Sequence, residues 1–134
     1  MTLVDSSVWI DFIRQPLEAM PPALGELLDS DSAVVTEPIE MELLAGPTDE
    51  MALRRIEKLI NGLGKLPVEP ELDFRAAAEI YRAVRRSGRT VRSKVDCLIA
   101  AVAIRNDVVL LHKDADFEAI AEVTELRHRS LLEP

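Results

Sequence analysis

A chain of 134 residues with 48% hydrophobic side chains has enough apolar material for one hydrophobic core and too little length for two, so a single domain over residues 1–134 is expected. One cysteine, Cys97, excludes an internal disulfide framework and suits a reducing cytoplasm; the apolar stretch Val95 to Ile104 is too short, and too closely flanked by charge, to span a bilayer. A net charge of −8 argues against a nucleic-acid partner, which usually meets a basic domain, unless the positive residues are gathered in one place.

Leu3-Val4 forms an apolar strand that runs straight into Asp5. Ser6 or Ser7 can cap the helix that follows, in which Trp9, Phe12 and Ile13 recur at helical spacing. Pro21-Pro22 opens a second helical stretch to about Ser30, and Ala33-Val34-Val35 reads as a short strand bounded by Thr36 and Pro38. Pro38 to Ala45 is a short helix stopped by Gly46-Pro47, and Asp49 to about Asn61 another that ends near Gly62 and Gly64. Leu66-Pro67-Val68 is a weak strand. The spacing then predicts an amphipathic helix over Glu71 to Arg86, with Phe74, Ala77, Ala78, Tyr81 and Val84 toward one side and Gly88 as its stop.

From Val95 to Arg105 the chain is nearly all apolar behind a lone Asp96, so this helix must be buried over most of its circumference. Val108 to Leu111 is a continuous apolar run, as expected for a central strand covered on both faces, and it leads into His112-Lys113-Asp114-Ala115-Asp116. Asp116 to Ala121 gives one or two helical turns, and Thr124 to His128 a last edge strand. Strands that alternate with helices indicate an α/β layered domain with a mostly parallel sheet.

Acids placed just past strand ends converge in such a sheet, because its ligand crevice lies outside the carboxyl ends of the strands. The candidates are Asp5, Glu37, Glu40, Glu42, Asp96, Asp114 and Asp116. Two carboxylates about 5 Å apart repel by roughly 3 kcal/mol at an effective dielectric near 20, so a cluster of them calls for a cation, and an all-oxygen set suits magnesium or manganese. A plainer role exists for each: Asp5 and Asp114 can simply cap helices. Asp96 is harder to explain that way, since an unpaired carboxylate on the most hydrophobic helix is costly unless compensated. Glu40 and Glu42 lie about 200° apart on a helix, so only one of them can face a given pocket.

Residues 85 to 94, RRSGRTVRSK, gather Arg85, Arg86, Arg89, Arg92 and Lys94 with no acid among them, directly before Asp96. A basic ridge beside an acidic pocket suits metal-assisted phosphodiester cleavage; the plainer reading is a solvated helix end, where cations meet the negative pole of the helix dipole.

The segments VDSSVWIDF at 4–12, EPIEMELLAG at 37–46 and VRSKVDCLIAAVAIRNDVVLLHKDADF at 91–117, in that order and spacing, resemble the PIN-domain ribonucleases. Within that family the chain is similar to the VapC toxins of bacterial toxin-antitoxin pairs over essentially its whole length. The resemblance implies a three-layer α/β/α sandwich whose acids bind one or two Mg2+ or Mn2+ ions and cleave RNA. Carried over by position, it implies that Asp5, Glu42, Asp96 and Asp114 are catalytic metal ligands and that Asp116 completes the second metal position. Ser7 matches a supporting hydroxyl, and Glu42 rather than Glu40 matches because of its distance from Gly46. A departure is His112, where relatives commonly carry Thr or Ser; an imidazole there can bond a phosphate, tune an acid, or merely pack.

The same resemblance implies a cytoplasmic toxin neutralised by a VapB-type antitoxin, a homodimer within the complex, DNA contact only through the antitoxin, and transfer RNA as substrate. The apolar residues Trp9, Phe12, Ile13, Leu43, Leu44, Ile56, Leu59 and Ile60 divide between core packing and a groove or dimer face. A receiver-type signalling domain is a competing small acidic α/β unit. It would want paired acids after the first strand and an Asp after a middle strand; here one acid follows the first strand, no middle strand ends in Asp, and Lys113 is only a loose match to the required lysine.

Overall fold

Leu3 and Val4 present apolar side chains to both faces of their strand and are fully buried, so β1 (Thr2–Val4) takes the middle of the sheet. In the computed structural model, which describes residues 1–14 and 20–132, the chain continues through α1 (Ser6–Arg14), α2 (Pro22–Asp29), β2 (Ala33–Val35), α3 (Glu37–Ala45) and α4 (Glu50–Asn61). It then forms β3 (Gly64–Lys65), α5 (Pro70–Arg86), α6 (Lys94–Asn106), β4 (Val109–His112), α7 (Ala115–Val123) and β5 (His128–Ser130). The order across the sheet is β3-β2-β1-β4-β5, every pairing is parallel, and helices flank the sheet. Thr2 stands opposite Ala33 on one side and Val109 on the other. The chain builds outward from β1 to β3, then returns to add β4 against the free side of β1. The reversal of direction lies between β1 and β4, and the crevice beyond their carboxyl ends is where an open parallel sheet holds ligands.

Three sequence expectations shift, each for a local reason. β3 is Gly64–Lys65 rather than Leu66–Val68: Pro67 has no N–H to give a ladder, whereas Leu66 N–H still bonds the Val35 carbonyl at 2.8 Å. α7 runs on to Val123, and β5 begins at His128 instead of Thr124. The Thr124 hydroxyl donates to the Ile120 carbonyl and accepts the Leu126 N–H, which makes a turn of the residues expected to be extended. At the end of α5, Gly88 has φ +87°, and the Arg89 N–H reaches back to the Val84 carbonyl; this left-handed exit is one that a side chain would strain.

The third shift concerns the buried face of α5, which is Asp73, Ala77, Ile80 and Val84, while Phe74 is 58% exposed. The stripe is turned from the expected one because an acid, not an aromatic, points inward. Asp73 is 1% exposed and takes a two-pronged ion pair from Arg105 on α6, Nε to Oδ1 and Nη2 to Oδ2, both at 2.9 Å. The Glu69 N–H adds a third bond at 2.7 Å, and Arg105 also donates to the Pro67 carbonyl. Fork-to-fork geometry of this kind fixes orientation as well as adding energy. It locks the C-terminal end of α6, the helix whose residues Asp96 to Ala103 are all buried, against α5.

Burial alone would raise the Asp73 carboxyl, but the hydrogen bonds from Arg105 and Glu69 and the guanidinium charge outweigh it and hold the group below its ordinary 3.8. The stabilisation is therefore complete above that value and disappears as pH falls below it. Asp73→Ala is expected to lower unfolding free energy by about 2 kcal/mol at pH 7 by removing the charge-assisted bonds from Arg105. Urea melts at pH 7 and pH 3 test this: the difference between parent and variant should shrink at the lower pH.

Candidate active site

Asp5 follows β1 with no intervening loop, and its N–H donates to the Leu111 carbonyl at 2.9 Å, so the β1–β4 ladder extends to the acid itself. It is 3% exposed. Its Oδ2 accepts the Ser7 N–H at 3.0 Å, as a helix cap does, and the Ser7 hydroxyl at 2.6 Å. Its Oδ1 is buried with no hydrogen-bond partner. Ser7 also accepts the Lys113 N–H at 2.9 Å, and so ties the end of β1 to the turn after β4.

That turn carries Asp114, the N-cap of α7, whose Oδ1 accepts the Asp116 N–H at 2.9 Å. Asp116, on the first turn of α7, is buried. Asp96 comes from the first turn of α6, behind the cap Ser93, and is 6% exposed. Asp96, Asp114 and Asp116 each bring a carboxylate oxygen within 4.8 Å of the others. Glu42 arrives from α3 with the Ser6 hydroxyl donating to its Oε1 at 3.1 Å. Four elements distant in sequence thus deliver five acids to one crevice.

The electrostatics confirm how closely they sit. Burial first, then the charges of Asp5, Asp114, Glu42 and Asp116 push the Asp96 carboxyl up to about 8. Burial and the Asp5 charge raise Glu42, and burial, only partly offset by the bonds from Ser7 and Ser6, raises Asp5. Glu40 points elsewhere, to Lys65 at 3.0 Å, and Glu37 accepts the Val68 N–H and also approaches Lys65. Helical phase left Glu40 and Glu42 open; the Ser6 bond separates them.

A family model for the PIN domain matches residues 2–123. The chain belongs to the PIN-domain family. Within it the chain falls in the VapC group: it is 46% identical over 132 residues to ribonuclease VapC11 of Mycobacterium tuberculosis, covering 97% of this chain and 98% of that one. In fold it is similar to VapBC2 from Rickettsia felis bound to a promoter DNA fragment, with TM-score 0.78 at 15% identity and coverage of 96% and 97%. It is also similar to Mycobacterium tuberculosis VapC20, a sarcin-ricin loop cleaving toxin, with TM-score 0.63 at 22% identity and coverage of 95% and 99%.

PIN-domain nucleases generally depend on a divalent metal, and the donors fit one: among the described residues Asp96, Asp114 and Asp116 form an all-carboxylate group, and Asp5 nearby has an unpartnered buried oxygen. His112 is not a competing ligand. It is fully buried, packs against Phe117 and His128, and accepts the Asp114 N–H at Nδ1, so its proton resides on Nε2 and goes to His128 Nδ1 at 2.9 Å. Burial and the neighbouring His128 lower it to about 4, which keeps it neutral, and its contribution is to hold the turn that carries Asp114. Cys97 is buried and its thiol pushed up to about 11 by burial and Asp96, which leaves it unreactive.

The basic residues do not form one continuous ridge. Arg89 pairs with Glu122 at 2.6 Å, Arg92 reaches Asp114 and Asp116, and Arg85 and Lys94 lie over the Tyr81 ring at 5.8 and 5.0 Å. Arg86 lies beside a groove between α5, α6 and α7. Ser6 is the site-supporting residue that the sequence did not single out; its place next to Asp5 was the available signal.

With divalent ions chelated, folded Asp96 keeps a proton up to about pH 8 that the unfolded chain releases near 3.8, so stability should fall as pH rises through that window. Asp96→Asn should flatten the slope and leave the variant more stable than the parent at pH 8, as read by thermal unfolding in EDTA.

Proposed function

We propose that this chain is the toxin of a type II toxin-antitoxin pair, a single-domain Mg2+- or Mn2+-dependent endoribonuclease that cuts structured RNA, with transfer RNA as substrate. The observation that carries the reading is the cluster of Asp96, Asp114 and Asp116, with Asp5 and Glu42 close enough to act on it electrostatically, in a chain 46% identical to a VapC ribonuclease. Asp5, Glu42, Asp96, Asp114 and Asp116 would hold the ion. When bound, it supplies positive charge to the phosphoryl oxygens and lowers the pKa of water for in-line attack.

The chain's own residues orient and exclude. Ser7 fixes Asp5 by two bonds while spanning to Lys113, and Ser6 fixes Glu42. His112, neutral and packed, steadies the turn and takes no proton from the substrate. Arg85, Arg86 and Lys94, with Arg89 and Arg92 less free, draw the RNA backbone to the acidic mouth, so affinity falls with salt.

A VapB-type antitoxin would neutralise the toxin in the cytoplasm and supply all DNA contact. Support for such a partner lies in the apolar groove of Ile10, Ile13, Leu43, Pro47 and Ile56, which runs up to Glu42. Met41, Leu44, Met51, Leu72 and Phe74 are among the exposed apolar side chains available to a homodimer. Among the described residues no helix is long and apolar enough to cross a membrane.

Purified chain is expected to cleave total RNA with Mg2+ or Mn2+ and to lose cleavage in EDTA. Asp5→Asn and Asp96→Asn should each remove about 10³-fold or more of activity, the equivalent of several kcal/mol of transition-state stabilisation, with the fold retained. Sequencing of the new 5′ ends identifies the RNA. Ends confined to ribosomal RNA would replace transfer RNA as the substrate, and full activity in either variant would overturn the site.

A further inference from the structure

We propose that Arg92 stands in for a second cation on Asp114 and Asp116, so that the acid cluster takes one divalent ion per chain rather than two. The inference rests on the metal-dependent reading above. Arg92 lies just before the α6 cap Ser93, and its backbone is anchored by buried Val91 and by its own N–H, which donates to Asp116 Oδ2 at 3.2 Å. The guanidinium returns to the same acids: Nη2 is 3.6 Å from Asp114 Oδ1 and Nε is 3.6 Å from Asp116 Oδ2. The side chain is 81% exposed, so it approaches from the open side of the crevice. Arginine keeps its charge at any working pH, which makes it a permanent +1 on that side.

The way each acid is held points to the same conclusion. Two-metal sites hold their ions about 3.5–4 Å apart, so a second ion here would have to share the same small group of carboxylates. Here Asp114 Oδ1 is committed to the Asp116 N–H and the guanidinium, and Asp116 Oδ2 to the Arg92 N–H and the guanidinium. Asp5 Oδ2 is committed to Ser7, and Glu42 Oε1 to Ser6. Four of the five acids therefore offer one oxygen each that accepts no hydrogen bond, and these suit one shared ion completed by water, while the guanidinium charge opposes a second ion beside Asp114 and Asp116. Among these contacts, only those of the Arg92 side chain are made by a charged group. Removing it leaves the backbone bonds to Asp114 and Asp116 in place and takes away the positive charge that repels a second ion on that side of the crevice.

The test is a Mn2+ titration of the purified full-length chain, with free Mn2+ read by electron paramagnetic resonance, for the parent, Arg92→Ala and Arg92→Gln. Thermal unfolding verifies the fold of each variant, which the exposure of the side chain should preserve. One ion per parent chain and two per variant chain is the expected result. Two ions in the parent, or one in both variants, overturns the role given to Arg92 and leaves the metal-dependent reading intact. No Mn2+ bound by the parent removes that reading and this inference with it.

Discussion

The last rung between β1 and β4, where the Asp5 N–H meets the Leu111 carbonyl, brings the acid that follows β1 close to those that follow β4. Parallel pairing in this register puts Val4 beside Leu111, so the residues leaving both strands do so at the same level and on the same side of the sheet. Any slip of one residue would turn Asp5 to the other face and break the cluster. The Ser7 hydroxyl, accepting from Lys113 while donating to Asp5, reinforces that register just beyond the strands. The acidic site is thus a consequence of strand pairing, and the helices bring the remaining members to a place the sheet has already chosen.

Gathering like charges in a buried crevice opposes folding, and the rest of the structure must offset it. α6 illustrates how. Its N-terminal turn carries Asp96 into the cluster, where burial and four acids disfavour its charge, while eight successive buried residues and the Asp73–Arg105 pair at the far end keep the helix in place. One end of the helix holds an unfavourable charge and the other a well-satisfied one. Stability lost at the mouth is recovered about two turns away.

Much of this was legible from residue order. An apolar run leading into acid, at once for Asp5 and after His112-Lys113 for Asp114, drew attention to both, and the mostly apolar segment after Asp96 made that residue conspicuous. Helix and strand order followed from periodicity and from proline and glycine stops. Other features depend on tertiary partners that no local window contains. The inward turn of Asp73 requires Arg105, 32 residues away, and the buried stripe of α5 was misphased for that reason. The basic run from Arg85 to Lys94 is free of acid in sequence, yet in space Glu122, Asp114 and Asp116 meet two of its members. His112 was ambiguous until its two ring nitrogens found Asp114 and His128.

Asp5 and Asp114 use one carboxylate oxygen to start a helix and turn the other toward the crevice. An asparagine in either place keeps an oxygen to start the helix and surrenders the charge, and a single nucleotide separates the two codons. On the proposed reading, one such mutation disarms the chain while leaving its shape unchanged. Silent copies of the fold would then be close neighbours of the active one in sequence space.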